Sequence, residues 1–174
     1  TPDDRWSQHP NIAFDLSVLD IFGALCAGAT LYPFTAPADL TMPASAIRRL
    51  GLTIWNSVPS VMTSMVRVRG VSERNMASVR LFTFCGEPLL PLHLEAIFKA
   101  SPGAIVQNTY GPTEATVSCT ELHLTAGHFA PACAASVAIG DAIPGMGIHL
   151  VGGDHADEGE IVITGPQVAA GYWR

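Results

Sequence analysis

Charge is scarce in this chain. Only 14% of its 174 residues are Asp, Glu, Lys or Arg, against 48% hydrophobic. A globular composition so poor in surface charge implies that part of the surface is normally covered. Nine Lys and Arg against fifteen Asp and Glu leave a net charge of −6, and no basic run occurs. That excludes the electrostatic footprint of a nucleic-acid binder. No apolar run reaches the length that spans a bilayer, and Thr1-Pro2-Asp3-Asp4-Arg5-Trp6 does not read as a signal peptide, so no membrane partner is expected. The four cysteines (Cys26, Cys85, Cys119, Cys133) form no Cys-x-x-Cys pair and lack zinc spacing, and the six histidines include no His-Glu-x-x-His. Reduced thiols in a cytoplasmic protein are expected, each a small buried hydrophobe.

What is present is an alternation. A length of 174 residues can bury a core and suggests one or two domains. Leu16, Leu19, Phe22 and Leu25 recur at helical spacing and Gly28 suits the helix end. Thr41 is expected to cap a helix holding Ile47 and Leu50, with Pro43 in its first turn and Gly51 at its end. Pro59 opens a helix through Met62, Met65 and Val66, in which the methionines read as core filler. A further helix is expected over 88–100, and strands over 29–32, 53–58, 79–84 and 104–109. Strands separated by helices imply parallel crossovers, which place Ser57, Cys85-Gly86-Glu87 and Thr109-Tyr110 on one edge of the sheet. After about residue 125 the helical period gives way to short apolar runs at 137–139, 148–151 and 161–163 punctuated by glycine, the pattern of antiparallel sheet or barrel. The expected organisation is a parallel-sheet α/β unit over 1–125 and a β-rich partial barrel over 126–174, with a linker near 125–135.

The most informative segment is Asn108-Thr109-Tyr110-Gly111-Pro112-Thr113-Glu114. It leaves a buried strand through a sharp Gly-Pro turn. There the Tyr110 ring can stack on a base, Thr113 can donate to a phosphate oxygen, and Glu114 can hold Mg²⁺. The same residues also suit a plain turn in which Thr113 caps a helix and Glu114 occupies its first turn. Asp15 likewise reads as a helix cap, Gly86 as a flexible turn residue, and Cys85 as a small residue at a strand end.

Four stretches, in order, resemble the adenylate-forming enzymes, and amino-acid adenylation domains in particular. They are Phe14-Asp15-Leu16-Ser17, Phe84-Cys85-Gly86-Glu87-Pro88-Leu89, the 108–114 segment, and Gly159-Glu160-Ile161-Val162-Ile163-Thr164-Gly165 with Val168-Ala169-Ala170-Gly171-Tyr172-Trp173. The first three look most like D-alanine–carrier-protein ligases. The resemblance implies activation of a small or apolar amino acid by ATP and Mg²⁺, followed by loading onto the phosphopantetheine thiol of a carrier protein. It assigns Asp15 to the substrate's α-ammonium, which favours an amino acid over an aryl or fatty acid. It assigns Gly86, Glu87, Pro88, Asn108, Thr109, Tyr110 and Gly111 to the nucleotide. Thr113 goes to the α-phosphate and Glu114 to the metal, the two being the catalytic pair. The amino-acid pocket would be lined by Asp15, Leu16, Leu19, Ser57, Thr83, Cys85, Thr109, Val117 and Ser118, with the Cys85 sulfur narrowing it.

A Gly-rich phosphate loop ahead of Phe14, a Thr-Gly-Asp beyond Trp173 and a lysine-bearing lid are also part of that family pattern and are not in these residues. The expectation is therefore a central piece of an enzyme, inactive by itself. An acyl- or aryl-CoA ligase piece and a non-catalytic α/β binding module remain as alternatives.

Overall fold

A computed structural model describes residues 1–130, 134–155 and 157–173. The larger sheet has seven strands in the order β2-β1-β3-β4-β5-β6-β7. These are β1 (Arg5–Gln8), β2 (Thr30–Pro33), β3 (Ile54–Ser57), β4 (Leu81–Phe84), β5 (Ile105–Tyr110), β6 (Thr120–Leu124) and β7 (Asp141–Ala142). The first five run parallel, β6 pairs antiparallel with β5, and β7 pairs antiparallel with β6. Helices α1 (Leu16–Cys26), α2 (Pro37–Thr41), α3 (Ala44–Leu50), α4 (Pro59–Arg67), α5 (Glu73–Met76) and α6 (Pro91–Ala100) make the crossovers. A separate antiparallel pair, β8 (Gly147–Val151) and β9 (Glu160–Thr164), follows. The fold is thus α/β, mostly parallel, with a small antiparallel sheet appended.

The core is one cluster between the sheet and its helices. Trp55, Phe82 and Phe84 are fully buried, with Trp55 edge-on to both phenylalanines at 6.2 and 5.9 Å. Met62 and Met65 are fully buried beside them, filling gaps as their position on α4 suggested.

Several local expectations are corrected. Strand β1 carries no apolar run, yet it lies between β2 and β3 in the sheet. Its start is fixed by Asp4, which takes two bonds from Arg80 at 2.8 and 2.6 Å and one from Thr53 at 2.7 Å. The Arg80 guanidinium holds the Asp4 carboxyl well below the usual range. Thr41 does not cap α3; its hydroxyl donates back to Pro37 O and closes α2, and Pro43 stands at the α3 cap. Helix α6 begins at Pro91, because proline at the first helical position leaves residues 88–90 outside it. Cys26 is exposed, while Cys85 and Cys119 are buried; Cys133 and part of the 125–135 segment lie outside the described residues.

Helix α1 turns an unexpected face to the sheet. Its buried residues are Leu16, Ser17, Asp20 and Ala24, while Phe22 and Leu25 are 59% and 63% exposed. The cause is Trp6 of β1: a Cβ on Gly23 would come within 2.5 Å of its ring. Only small residues fit against it, so the larger apolar residues point outward.

Beyond residue 125 the chain returns to the larger sheet before leaving it. Val137 is buried, its N–H donates to Leu89 O at 2.8 Å, and β7 pairs with β6.

Candidate functional site

Parallel strands deliver the residues that follow them to one edge, and open α/β sheets bind ligands at that edge. Here His9 follows β1, Ser57 and Val58 close β3, Cys85-Gly86-Glu87 follow β4, and Gly111-Pro112 follow β5. With Phe14, Asp15 and Leu16 at the start of α1, Leu40 of α2, and Thr113 and Val117, they line a cavity of about 710 Å³.

Asp15 stands at the cap position of α1 with a helical backbone and no side-chain capping hydrogen bond. The cap alternative is thus not realised, and its half-buried carboxylate lines the cavity. Cys85 is 4% exposed and its thiol donates to Val117 O at 3.6 Å. Burial pushes the Cys85 thiol up, so it is a packing group rather than a nucleophile. Gly86 adopts φ +88, which glycine tolerates, and a Cβ there would meet only Val58 at 3.8 Å. Gly111 is required by packing instead, since its Cβ would lie 2.6 Å from Ser118 Cα.

The turn after β5 is strained. Thr116 and Val117 adopt φ 55 and 71, a left-handed conformation that costs a β-branched residue on the order of 1–2 kcal/mol. The segment near 167–172 holds it there. Thr116 donates to Gln167 O at 2.9 Å, and the Ala169 N–H donates to Glu114 O at 2.7 Å. Thr113 opens a short 3₁₀ turn whose cap is Pro112, so its hydroxyl is not a helix cap.

The other expected site residues are distributed. Leu19, Thr109 and Ser118 line a second depression of about 220 Å³, and Val117 borders both hollows. Thr109 also donates to Phe84 O at 3.0 Å. Tyr110 is half-buried at the end of β5. Thr83 lines neither hollow; it is 2% exposed and its hydroxyl donates to Gln107 at 3.3 Å. Asn108 is buried and its amide donates to Ala138 O at 2.9 Å. Pro88 is exposed beside the cavity-lining Glu87. Glu87 takes the Ser60 N–H at 2.7 Å and the Ser60 hydroxyl at 3.0 Å, which caps the start of α4. His9 and Leu40 were not foreseen, because neither the polar strand that delivers His9 nor the short helix α2 that carries Leu40 was recognised.

Among the described residues no group of three or more His, Cys, Asp or Glu side chains converges into a metal cage. Mg²⁺ does not need one, since one or two carboxylates and substrate phosphates suffice. Glu114, exposed next to the cavity-lining Thr113, fits that requirement. The Tyr172 hydroxyl donates to its carboxylate and holds it below the usual range.

The family model described as AMP-binding enzyme matches residues 1–173. The chain belongs to that family. It is 36% identical over 191 residues to an L-proline–[L-prolyl-carrier protein] ligase of Streptomyces coelicolor, covering 99% of this chain and 34% of that protein. It is 31% identical over 176 residues to a D-alanine–D-alanyl carrier protein ligase of Listeria welshimeri, covering 97% and 34%. The crystal structure of the Vibrio cholerae adenylation domain AlmE in complex with glycyl-adenosine-5'-phosphate superposes with a TM-score of 0.85 at 35% identity, covering 99% of this chain and 34% of that one. The chain spans about a third of the length of these relatives. No helix among the described residues is long and apolar enough to cross a membrane.

Proposed function

We propose that this chain forms the substrate-facing part of an enzyme that activates a small or apolar amino acid. The carboxylate oxygen of the amino acid attacks the α-phosphorus of ATP, the bond to the β-phosphate oxygen breaks, and pyrophosphate leaves. A carrier-protein phosphopantetheine thiol then takes the acyl group as a thioester and AMP departs. The observation that carries this reading is the uncapped Asp15 carboxylate on the wall of the sheet-edge cavity. A carboxylate in a largely apolar cavity calls for a cationic partner, and the α-ammonium of an amino acid is one. The amino-acid ligases among the relatives support it.

In this reading Asp15 orients the amine, and Leu16, Ser57, Cys85 and Val117 bound the side chain. Leu19, Thr109 and Ser118 would bound it across Val117, from the second depression, and Thr83 is buried on β4 two residues before Cys85. Gly86, Glu87, Pro88, Asn108, Tyr110 and Gly111 hold the nucleoside, and Thr113 donates to the α-phosphate. Mg²⁺ on Glu114 would neutralise phosphate charge. Most of the rate enhancement comes from positioning and preorganised charge. The test is amino-acid-dependent ATP–pyrophosphate exchange by the full-length protein carrying this chain. Exchange with aryl or fatty acids but no amino acid would overturn the reading.

Cys85 gives a second measurement. Cys85→Gly and Cys85→Ala are expected to admit longer or opposite-handed side chains. The discrimination among D- and L-alanine, serine and valine should change by about 10- to 200-fold in kcat/KM. An unaltered ranking with lowered stability would remove Cys85 from the pocket.

A further inference from the structure

His9 lines the cavity but has no role in the assignment above. Its ring is held on several sides. Phe34 lies edge-on at 5.6 Å and Trp55 is tilted at 6.0 Å between centroids. Nε2 is 2.9 Å from Leu40 O, and Nδ1 is 2.9 Å from the Ser57 hydroxyl oxygen. A backbone carbonyl only accepts, so Nε2 carries the hydrogen. Burial pushes His9 below its ordinary value, so the ring is neutral at pH 7 and Nδ1 is an acceptor. The Ser57 hydroxyl must then donate to Nδ1. Ser57 is 1% exposed, and among the described residues its hydroxyl makes no other hydrogen bond. Its hydrogen is committed to His9, and what remains for a ligand is a lone pair.

The charged groups nearby do not disturb this arrangement. Asp20 lies near the His9 backbone N–H and is pushed up to about 8, so it is mostly neutral at pH 7. Asp15 and Glu87 share the cavity wall, but the hydrogen-bond partners of the ring are Leu40 and Ser57.

We propose that His9 is a positioning residue that makes Ser57 a fixed hydrogen-bond acceptor in the cavity wall, so that the site prefers a small amino acid whose side chain ends in a hydrogen-bond donor. This rests on the amino-acid-activation reading and narrows its substrate class to β-hydroxy or similarly short donor side chains.

The test has two arms in the full-length protein. Nitrogen NMR of ¹⁵N-histidine-labelled protein between pH 6 and 8, with the His9 signals assigned by their loss in His9→Phe, reads the tautomer. A protonated Nε2 and a bare Nδ1 are expected, and the opposite tautomer would overturn the role of His9. The second arm compares serine with 2-aminobutyrate, which carries a methyl in place of the hydroxyl. Serine is expected to be favoured roughly 5- to 10-fold in kcat/KM, the scale of one neutral hydrogen bond. Ser57→Ala should erase that preference through KM with kcat largely kept. His9→Phe, which keeps the aromatic packing, should free the hydroxyl and raise the relative acceptance of O-methylserine, an acceptor only. If His9→Phe does not fold, Ser57→Ala carries this arm and assigns the Nδ1 signal by its shift. Equal use of serine and 2-aminobutyrate by the wild type would overturn the selectivity. Absence of adenylate from every amino acid would remove the activation reading and the selectivity with it, while the tautomer still decides the role of His9.

Discussion

Asp20→Asn is expected to stabilise the protein, and to do so increasingly from pH 4 to pH 8. Asp20 is fully buried on α1, and neither of its carboxyl oxygens has a hydrogen-bond partner among the described residues. Burial raises its pKa from 3.8 to about 8, while the Asn56 side chain and the His9 backbone amide pull partly the other way. Between those values the folded protein keeps a proton that the unfolded chain has released. Stability therefore falls as pH rises through that window and levels off above it. At about 1.4 kcal/mol per pH unit, the upper bound of the loss is roughly 6 kcal/mol. Asparagine keeps the shape, cannot ionise, and offers an N–H to the unpartnered Asn56 Oδ1. Urea denaturation of both proteins at pH 4, 6 and 8 measures it. The curves should nearly coincide at pH 4 and separate at pH 8; parallel pH profiles would show that Asp20 is solvated and ordinary.

The second large effect lies in the cavity. Asp15→Ala should lower kcat/KM for the preferred amino acid by on the order of 2–5 kcal/mol, roughly 30- to 5,000-fold, the cost of removing one side of a desolvated charge pair. Stability should move little, because the side chain makes no capping bond and is only half-buried. Steady-state kinetics alongside thermal denaturation separates the two. A melting temperature that drops while kcat/KM stays within a fewfold would make Asp15 a structural residue.

What was legible in the sequence follows from burial. Strands β3, β4 and β5 each open on an apolar pair (Ile54-Trp55, Leu81-Phe82, Ile105-Val106) and are followed by turn or proline signals, and their register puts Ser57 beside Phe84 and Phe84 beside Asn108. The convergence of Ser57 and Cys85-Gly86-Glu87 at one edge could therefore be inferred from the sequence, whereas Thr109-Tyr110 was expected beside them and it is Gly111-Pro112 that lines the cavity. Strand β1 could not, because its sequence Arg-Trp-Ser-Gln is mostly polar and its pairing is decided by long-range partners such as Asp4–Arg80. With β1 went His9, and with His9 the partner of Ser57. The periodicity of α1 announced a helix, but not which face would be buried. That choice depends on Trp6, a residue on an unrecognised strand. The resemblance placed Thr83 and Asn108 among site residues but did not give their side-chain hydrogen bonds to Gln107 and Ala138, which depend on tertiary neighbours that no local pattern encodes.

The claim on which the rest depends is that the cavity accepts an amino acid through its ammonium group. The most direct measurement is adenylate formation by the full-length protein with its best amino acid, set against the same acid lacking the amino group. With Asp15 as the ammonium partner, acyl-AMP from the desamino acid should form at least about 100-fold less efficiently than aminoacyl-AMP, since the carboxylate is then left unpaired. Comparable rates of adenylate formation from the two acids would contradict the account.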